Sequence, residues 1–265
     1  MPMKPDSTID RRNKIREMLE TDTVVNSQAL AERFDVSLMT IYRDLDFLQE
    51  QGIAKRQHGG AIIANRFVTS SMRSHRSTQN VEAKRAIGRY AAEHFLDMHS
   101  DDAIIIGAGS TTLEFVKALP DIPINVMVNS LEALSILGRH NQTHLYALGG
   151  ELRKDIMAFG GTMAHESVRQ CHFSKAFIGV DGIDMQAGFT STNEQTARLS
   201  KLMAEHAEDV FVLTDNSKFH QRSFRTIFPF SRVRAIITNS GVDNHFKHFL
   251  REQNVELIEV DVDES

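Results

Sequence analysis

A chain of 265 residues is longer than one ordinary domain requires, so two domains are expected, and 41% apolar with 25% charged residues is a globular composition. No apolar run reaches the roughly 18 residues of a membrane-spanning helix, and the polar N-terminus lacks the apolar core of a secretory signal, so a cytoplasmic location and no membrane partner are expected. The single cysteine, Cys171, excludes an intrachain disulfide and paired-cysteine zinc knuckles, and a net charge of −5 excludes a uniformly basic nucleic-acid coat while leaving room for a local patch.

The first 60 residues carry short helical patterns, with 9 Lys and Arg against 10 Asp and Glu, so any DNA-facing surface must arise by sorting charge between faces. A first helix starts near Asp10 and places Ile15, Met18 and Leu19 on one side. A second, Ser27 to Phe34, is opened by Asn26 or Ser27 and buries Leu30 and Phe34. A tight turn at 35–37 leads into a third helix with Ser37 as its cap. With Ile41 at zero, Leu45 falls at about 40° and Leu48 at about 340°, which makes one apolar stripe, while Met39 and Arg43 lie opposite and Thr40 and Tyr42 flank them. Asp44 lies off this outer face, and Asp46 faces outward one turn further along. Gly52 ends the helix, and residues 53–63 read as two extended pieces around Gly59-Gly60, a small wing.

Helix, helix, turn, helix and wing is the plan of a winged helix-turn-helix, whose third helix presents its outward N-terminal residues to the major groove. Ser37, Met39, Thr40, Tyr42 and Arg43 on that helix, with Lys55, Arg56 and His58 on the wing, are the candidate DNA contacts. The alternative is a three-helix protein-interaction module with merely solvated arginines. From Arg11 to Ala61 the chain resembles the DNA-binding domain of the DeoR family of sugar-metabolism repressors. The family's S-x-x-T-I-R-R-D-L core reads Ser37-Leu38-Met39-Thr40-Ile41-Tyr42-Arg43-Asp44-Leu45 here. Tyr42 stands where the family usually has arginine, which takes one charge off the helix.

Domain limits are set at 1–62 for the winged helix, 63–80 for a Ser/Thr-rich connector and 81–265 for the remainder. From about residue 81, β-rich apolar runs at 103–108, 124–129, 144–150, 175–184, 209–215, 234–239 and 255–260 alternate with helical stretches. This pattern indicates a mainly parallel, doubly wound α/β domain. Ile104-Ile105-Ile106 enters the turn Gly107-Ala108-Gly109 and then a helix starting Ser110-Thr111-Thr112. Glycines allow close backbone approach, and helix-start N–H groups attract an anion. This is neither a Walker loop nor a dinucleotide fingerprint, and such a turn is structural about as often as functional. Asn129-Ser130, Gly149-Gly150, the segment Gly179 to Asp184 and the segment Thr214 to Lys218 end four further strands. Ligands bind outside the carboxyl ends of parallel strands, so the set suggests one polar site, although each piece alone could be a turn or cap.

The segment from about Val81 onward resembles the DeoR effector domain, which is itself similar to ribose-5-phosphate isomerase. Ala83-Lys84-Arg85-Ala86-Ile87-Gly88, GAGSTT, DGID and DNSK match in order. The resemblance implies that Lys84, Ser110, Thr111 and Lys218 hold a sugar phosphate, with Thr112 adding a hydroxyl. It also implies that Asp181 and Asp184 face the sugar and that Glu194 sits where the isomerase keeps its general base. Glu194 and Arg198 are four apart on one helix, so an ordinary surface ion pair is the alternative reading. An active isomerase with an appended DNA-binding domain is the rival function. It lacks the lysine that follows the isomerase's DGAD segment, because Met185 stands there. A nucleotide-dependent oxidoreductase is disfavoured because Asn129 replaces the acid it needs. No cofactor, catalytic residue or metal site is expected. Cys171 reads as a structural thiol, and Met127, Met157, Met163 and Met185 as packing. The expected partners are double-stranded operator DNA, a phosphorylated sugar and a second copy of the chain, since one winged helix reads only a half-site.

Overall fold

The computed structural model describes residues 8–22, 24–50, 53–57, 59–63, 80–96 and 103–262. The chain divides into two compact units, 1–74 and 75–265. In the first, α1 (Thr8–Asp22), β1 (Val24–Asn26), α2 (Ser27–Phe34), α3 (Leu38–Glu50), β2 (Ala54–Gln57) and β3 (Gly60–Ile63) follow in order. Asn26 caps α2 by accepting from the Gln28 and Ala29 amides, and Asp35 ends it in the left-handed conformation at φ 53°. The Ser37 hydroxyl accepts the Thr40 amide at 3.2 Å and so opens α3. Ile15, Leu19, Leu30, Phe34, Ile41, Leu45 and Leu48 close a single small core.

The wing has three strands, in the order β1-β3-β2, all antiparallel. The expectation contained only the hairpin. The third strand comes from the three residues before α2, and the Ser27 amide, at the start of α2, donates to the Gly59 carbonyl of the wing turn at 2.8 Å.

The second unit is built from α4 (Val81–His94), β4 (Ala103–Ile106), α5 (Ser110–Ala118), β5 (Asn125–Val128), α6 (Leu131–Leu137) and β6 (His144–Ala147). There follow β7 (Glu151–Arg153), β8 (Ala158–Gly160), α7 (Gly161–Arg169), β9 (Phe173–Ile178), β10 (Gly182–Asp184), β11 (Gly188–Ser191) and α8 (Glu194–Glu205). The chain continues through β12 (Ala207–Leu213), β13 (Arg225–Phe228), β14 (Ala235–Asn239), α9 (Asn244–Glu252) and β15 (Glu256–Val260). Seven strands form one parallel sheet in the order β15-β14-β12-β9-β4-β5-β6.

Period-two alternation divides the apolar side chains between two cores. Ile105, Met127, Ala176, Val212 and Ile236 face one core, covered by α7, α8 and α9. Ile104, Val126, Phe177, Phe211 and Ile237 face the other, covered by α4, α5 and α6. Two smaller elements lie outside the parallel sheet: the β7–β8 hairpin and an antiparallel sheet in the order β10-β11-β13. The run expected to end a single strand at Asp184 is therefore two strands. β9 stops at Ile178, and Gly182–Asp184 starts the separate small sheet.

Candidate functional site

Ser37, just before α3, and Met39 and Arg43 on it are exposed and Thr40 is half-buried, with Met39 60% accessible. Lys55 is exposed on β2, while His58 lies outside the described residues. Arg56, the next residue along the strand from Lys55, points the other way. Its Nη1 donates to Asp46 at 2.8 Å and to the Tyr42 carbonyl at 3.2 Å, and its guanidinium lies 4.7 Å from the Tyr42 ring centroid. Tyr42 and Arg56 are thus engaged with each other, which departs from their expected placement among open DNA contacts.

Asp44, expected merely off the outer face, is buried and bridges two arginines of α1, Arg11 at 2.6 Å and Arg12 at 2.8 Å. This pair of bonds ties the reading helix to α1. No sequence signal marked it, since the partners lie more than thirty positions apart.

In the second unit, the ends of β12, β9, β4, β5 and β6 are consecutive neighbours in the sheet. The Gly107-Ala108-Gly109 turn joins β4 to α5 at the middle of this row, with Ser110 and buried Thr111 starting the helix. Asn129 holds the turn in place, accepting the Ala108 amide at 2.7 Å and donating to the Phe159 carbonyl at 3.1 Å. Thr112 was expected to offer its hydroxyl to an anion, but that proton is spent on the Gly107 carbonyl at 2.6 Å and the Gly109 carbonyl at 3.1 Å. Thr112 therefore shapes the turn. Gly150 is likewise structural: its φ is 110°, and a side chain there would collide with the Gly160 carbonyl. Gly149 has open space around it.

At the β12 end, Asp215 is buried and accepts from Ser217 and, at 3.0 Å, from Asn80. Burial pushes its carboxyl up, yet the Ser217 hydroxyl, the Lys218 charge, Asn80 and the Lys84 charge together hold it below the usual carboxylate range. Lys84 is itself buried on α4. The charges of both lysines of the expected cradle therefore act on Asp215, a carboxylate not among the expected site residues.

The acids expected to face a sugar are engaged elsewhere. Asp181 accepts from Ser191 Oγ, Thr192 N and Thr192 Oγ1 at 2.8–3.0 Å. Asp184 caps the β10–β11 turn and accepts from Arg222 at 2.6 Å. The Arg222 hydrogen bond holds its carboxyl below the usual range. Glu194 pairs with Arg225 at 2.8 Å and with Arg198 at 2.9 Å, and the Arg225 hydrogen bond holds it low too. Arg198 is 70% exposed, which matches the surface ion-pair alternative.

A shallow cleft opens beside the glycine turn, lined by Gly107, Ala108, Asn129, Arg153, Thr196, Ser200 and Met203, among others. Arg153, from β7, donates to Asn193 at 2.7 Å and Thr196 at 2.9 Å and pairs with Asp155. Arg153 lies between the apolar runs at 144–150 and 175–184, so the strand pattern did not mark it. Among the described residues no three His, Cys, Asp or Glu side chains converge as a metal site requires, and no helix is long and apolar enough to cross a membrane.

A winged helix-turn-helix joined to a parallel α/β unit with a polar strand-end site defines a two-part class: a DNA-reading module coupled to a ligand-sensing one. The family comparisons name it. The DeoR-like helix-turn-helix domain matches residues 11–67, and the DeoR C terminal sensor domain matches residues 79–240. The chain belongs to the DeoR family of DNA-binding transcriptional regulators. It is 34% identical to a putative aga operon transcriptional repressor of Escherichia coli O157:H7 over 95% of this chain and 93% of that protein. It is 31% identical to the uncharacterized HTH-type regulator YulB of Bacillus subtilis over 95% and 96% of the two chains. It is 28% identical to the L-fucose operon activator of Haemophilus influenzae over 85% and 90%. Among solved structures, ribose 5 phosphate isomerase A from Neisseria gonorrhoeae aligns at 21% identity over 56% of this chain and 57% of that chain, with a TM-score of 0.39.

Proposed function

We propose that this regulator is a cytoplasmic repressor of a carbohydrate-utilisation operon that a phosphorylated sugar releases from its operator. Residues 1–62 bind DNA, 63–80 connect, and 81–265 bind the effector. Ser37, Met39, Thr40, Arg43 and Lys55 face the DNA, and a homodimer or higher oligomer matches a two-fold operator. Gly107, Gly109, Ser110, Thr111, Lys84 and Lys218 receive the phosphate.

The observation that carries this reading is the glycine turn at the centre of the strand-end row. It opens onto the N-terminus of the nine-residue helix α5, and the charges of buried Lys84 and half-buried Lys218 both act on Asp215, just past the end of β12. Backbone N–H groups and lysines suit a dianion far better than a neutral hydroxyl. The repressor of an aga operon and the lactose phosphotransferase system repressor of Staphylococcus epidermidis, 29% identical, are named for sugar systems, which supports the same effector class. The test is a thermal-shift and calorimetric panel on the full chain, with sugars in free and phosphorylated form. The phosphorylated members should bind and stabilise while their free counterparts do not. Equal binding of both forms would make the cradle a structural turn.

A further inference from the structure

Arg56 joins the wing to the reading helix. Tyr42, Asp46 and Gln49 recur at four- and three-residue spacing and so share a stripe of α3 beside the exposed Met39 and Arg43. All three meet Arg56 of β2. The Gln49 side-chain oxygen accepts the Arg56 amide at 2.9 Å, Asp46 and the Tyr42 carbonyl accept from Nη1, and the Tyr42 ring lies beneath the guanidinium. The Arg56 side chain is 28% exposed, and its Nε is buried with no acceptor among the described residues. A cation reaching for phosphate would extend into solvent, as Lys55 on the opposite face of the strand does. Arg56 lies folded back on the helix.

We infer that Arg56 and Tyr42 are positioning residues, a brace that fixes the wing at one angle to the reading helix and thereby sets discrimination between operator and random DNA. This rests on the DNA-reading role of α3. A phosphate ligand and a brace differ in what their removal changes. Losing a phosphate contact lowers the slope of log affinity against log salt by about 0.9 and weakens all sequences alike. Losing the brace leaves the number of phosphate contacts intact but lets the wing wander, so the loss falls on the selected sequence.

The probe is a duplex selected from a random library by the full-length chain, compared with unselected DNA over a salt series. Arg56→Ala and Tyr42→Leu should each lower the selected-to-random affinity ratio about tenfold, the scale of one charge-assisted contact with one stacking contact, and leave the salt slope unchanged. The double variant should be no worse than either single one, because both remove the same element. Tyr42→Phe, which keeps the ring, should keep the ratio. Should Arg56→Ala fail to fold by circular dichroism, Tyr42→Leu and Asp46→Asn carry the same test. A salt slope reduced by about one with an unchanged ratio would make Arg56 a phosphate ligand and overturn the brace. So would an intact ratio in Tyr42→Leu. A parent chain unable to enrich any duplex would instead remove the DNA-reading role itself.

Discussion

Asp44→Ala removes the one acid shared by Arg11 and Arg12. Asp44 is 1% and Arg11 10% exposed, so the Arg11 guanidinium would be left desolvated and unpaired, whereas Arg12, 27% exposed and stacked on Phe47 at 4.0 Å, can turn toward water. Breaking a buried pair by removing one partner costs about 3–5 kcal/mol, and the partial exposure of Arg12 favours the lower end, about 3 kcal/mol. A unit of 74 residues has a total stability of about 4–11 kcal/mol, so this single change consumes a large share. At about 4–8 °C per kcal/mol for a domain of that size, its unfolding midpoint should fall by about 12–24 °C. Differential scanning calorimetry on the full chain would show the first transition moving while the α/β transition stays in place. Replacing Arg11 by Met in the same chain should recover part of the loss, since the unpaired charge is then gone. A midpoint shift below about 4 °C would refute the reasoning, because it would mean the carboxylate is worth no more than a surface pair.

Arg43→Ala, at an exposed position opposite the core stripe of α3, should weaken operator binding by about 1–3 kcal/mol in gel-shift titration and leave effector binding unchanged. Asp243, the cap of α9, is lowered to about 2, chiefly by the His220 hydrogen bond and then by the Phe246 amide. Its folded value lies below its unfolded one, so the stability it adds is complete above about pH 4 and is lost as pH falls through about 2. Asp243→Asn should therefore flatten the decline of the α/β unfolding midpoint across that window, and an identical profile would count against the assignment. The purified chain should not interconvert ribose 5-phosphate and ribulose 5-phosphate in a coupled assay. No lysine stands between Asp181 and Lys201 to stabilise an enediolate, Met185 is packed against the core, and Glu194 is bound by Arg225 and Arg198.

Much of the fold was legible because its signals are local. Asn26 and the apolar spacing of Leu30 and Phe34 mark α2 to the residue, and each of the seven apolar runs holds one strand of the parallel sheet. The illegible parts depend on distant partners. β1 is only three residues long and exists because β3 pairs with it from 34 to 38 positions away. The β7–β8 hairpin lacks a strong apolar alternation, yet it brings Arg153 to the cleft. Motif order drew attention to the strand ends, but the motif letters alone could not tell which side chains would be spent internally. Thr112 closes its own turn, Asp184 caps another, and Arg56 folds onto Tyr42. In each case the same donor or acceptor could serve a ligand or the fold, and only the neighbour supplied by the tertiary structure determines which.

Under the proposed function, a phosphate bound at the glycine turn and its two lysines releases the DNA. Ligand and DNA binding must then be reciprocally coupled, because linkage holds for binding free energies. The direct measurement is release of a selected duplex from the full-length chain, titrated with matched free and phosphorylated sugars, in the parent and in Lys218→Ala. The account predicts release by a phosphorylated sugar alone, with Lys218→Ala binding DNA normally but no longer responding. Release by the free sugar that persists in Lys218→Ala would contradict it.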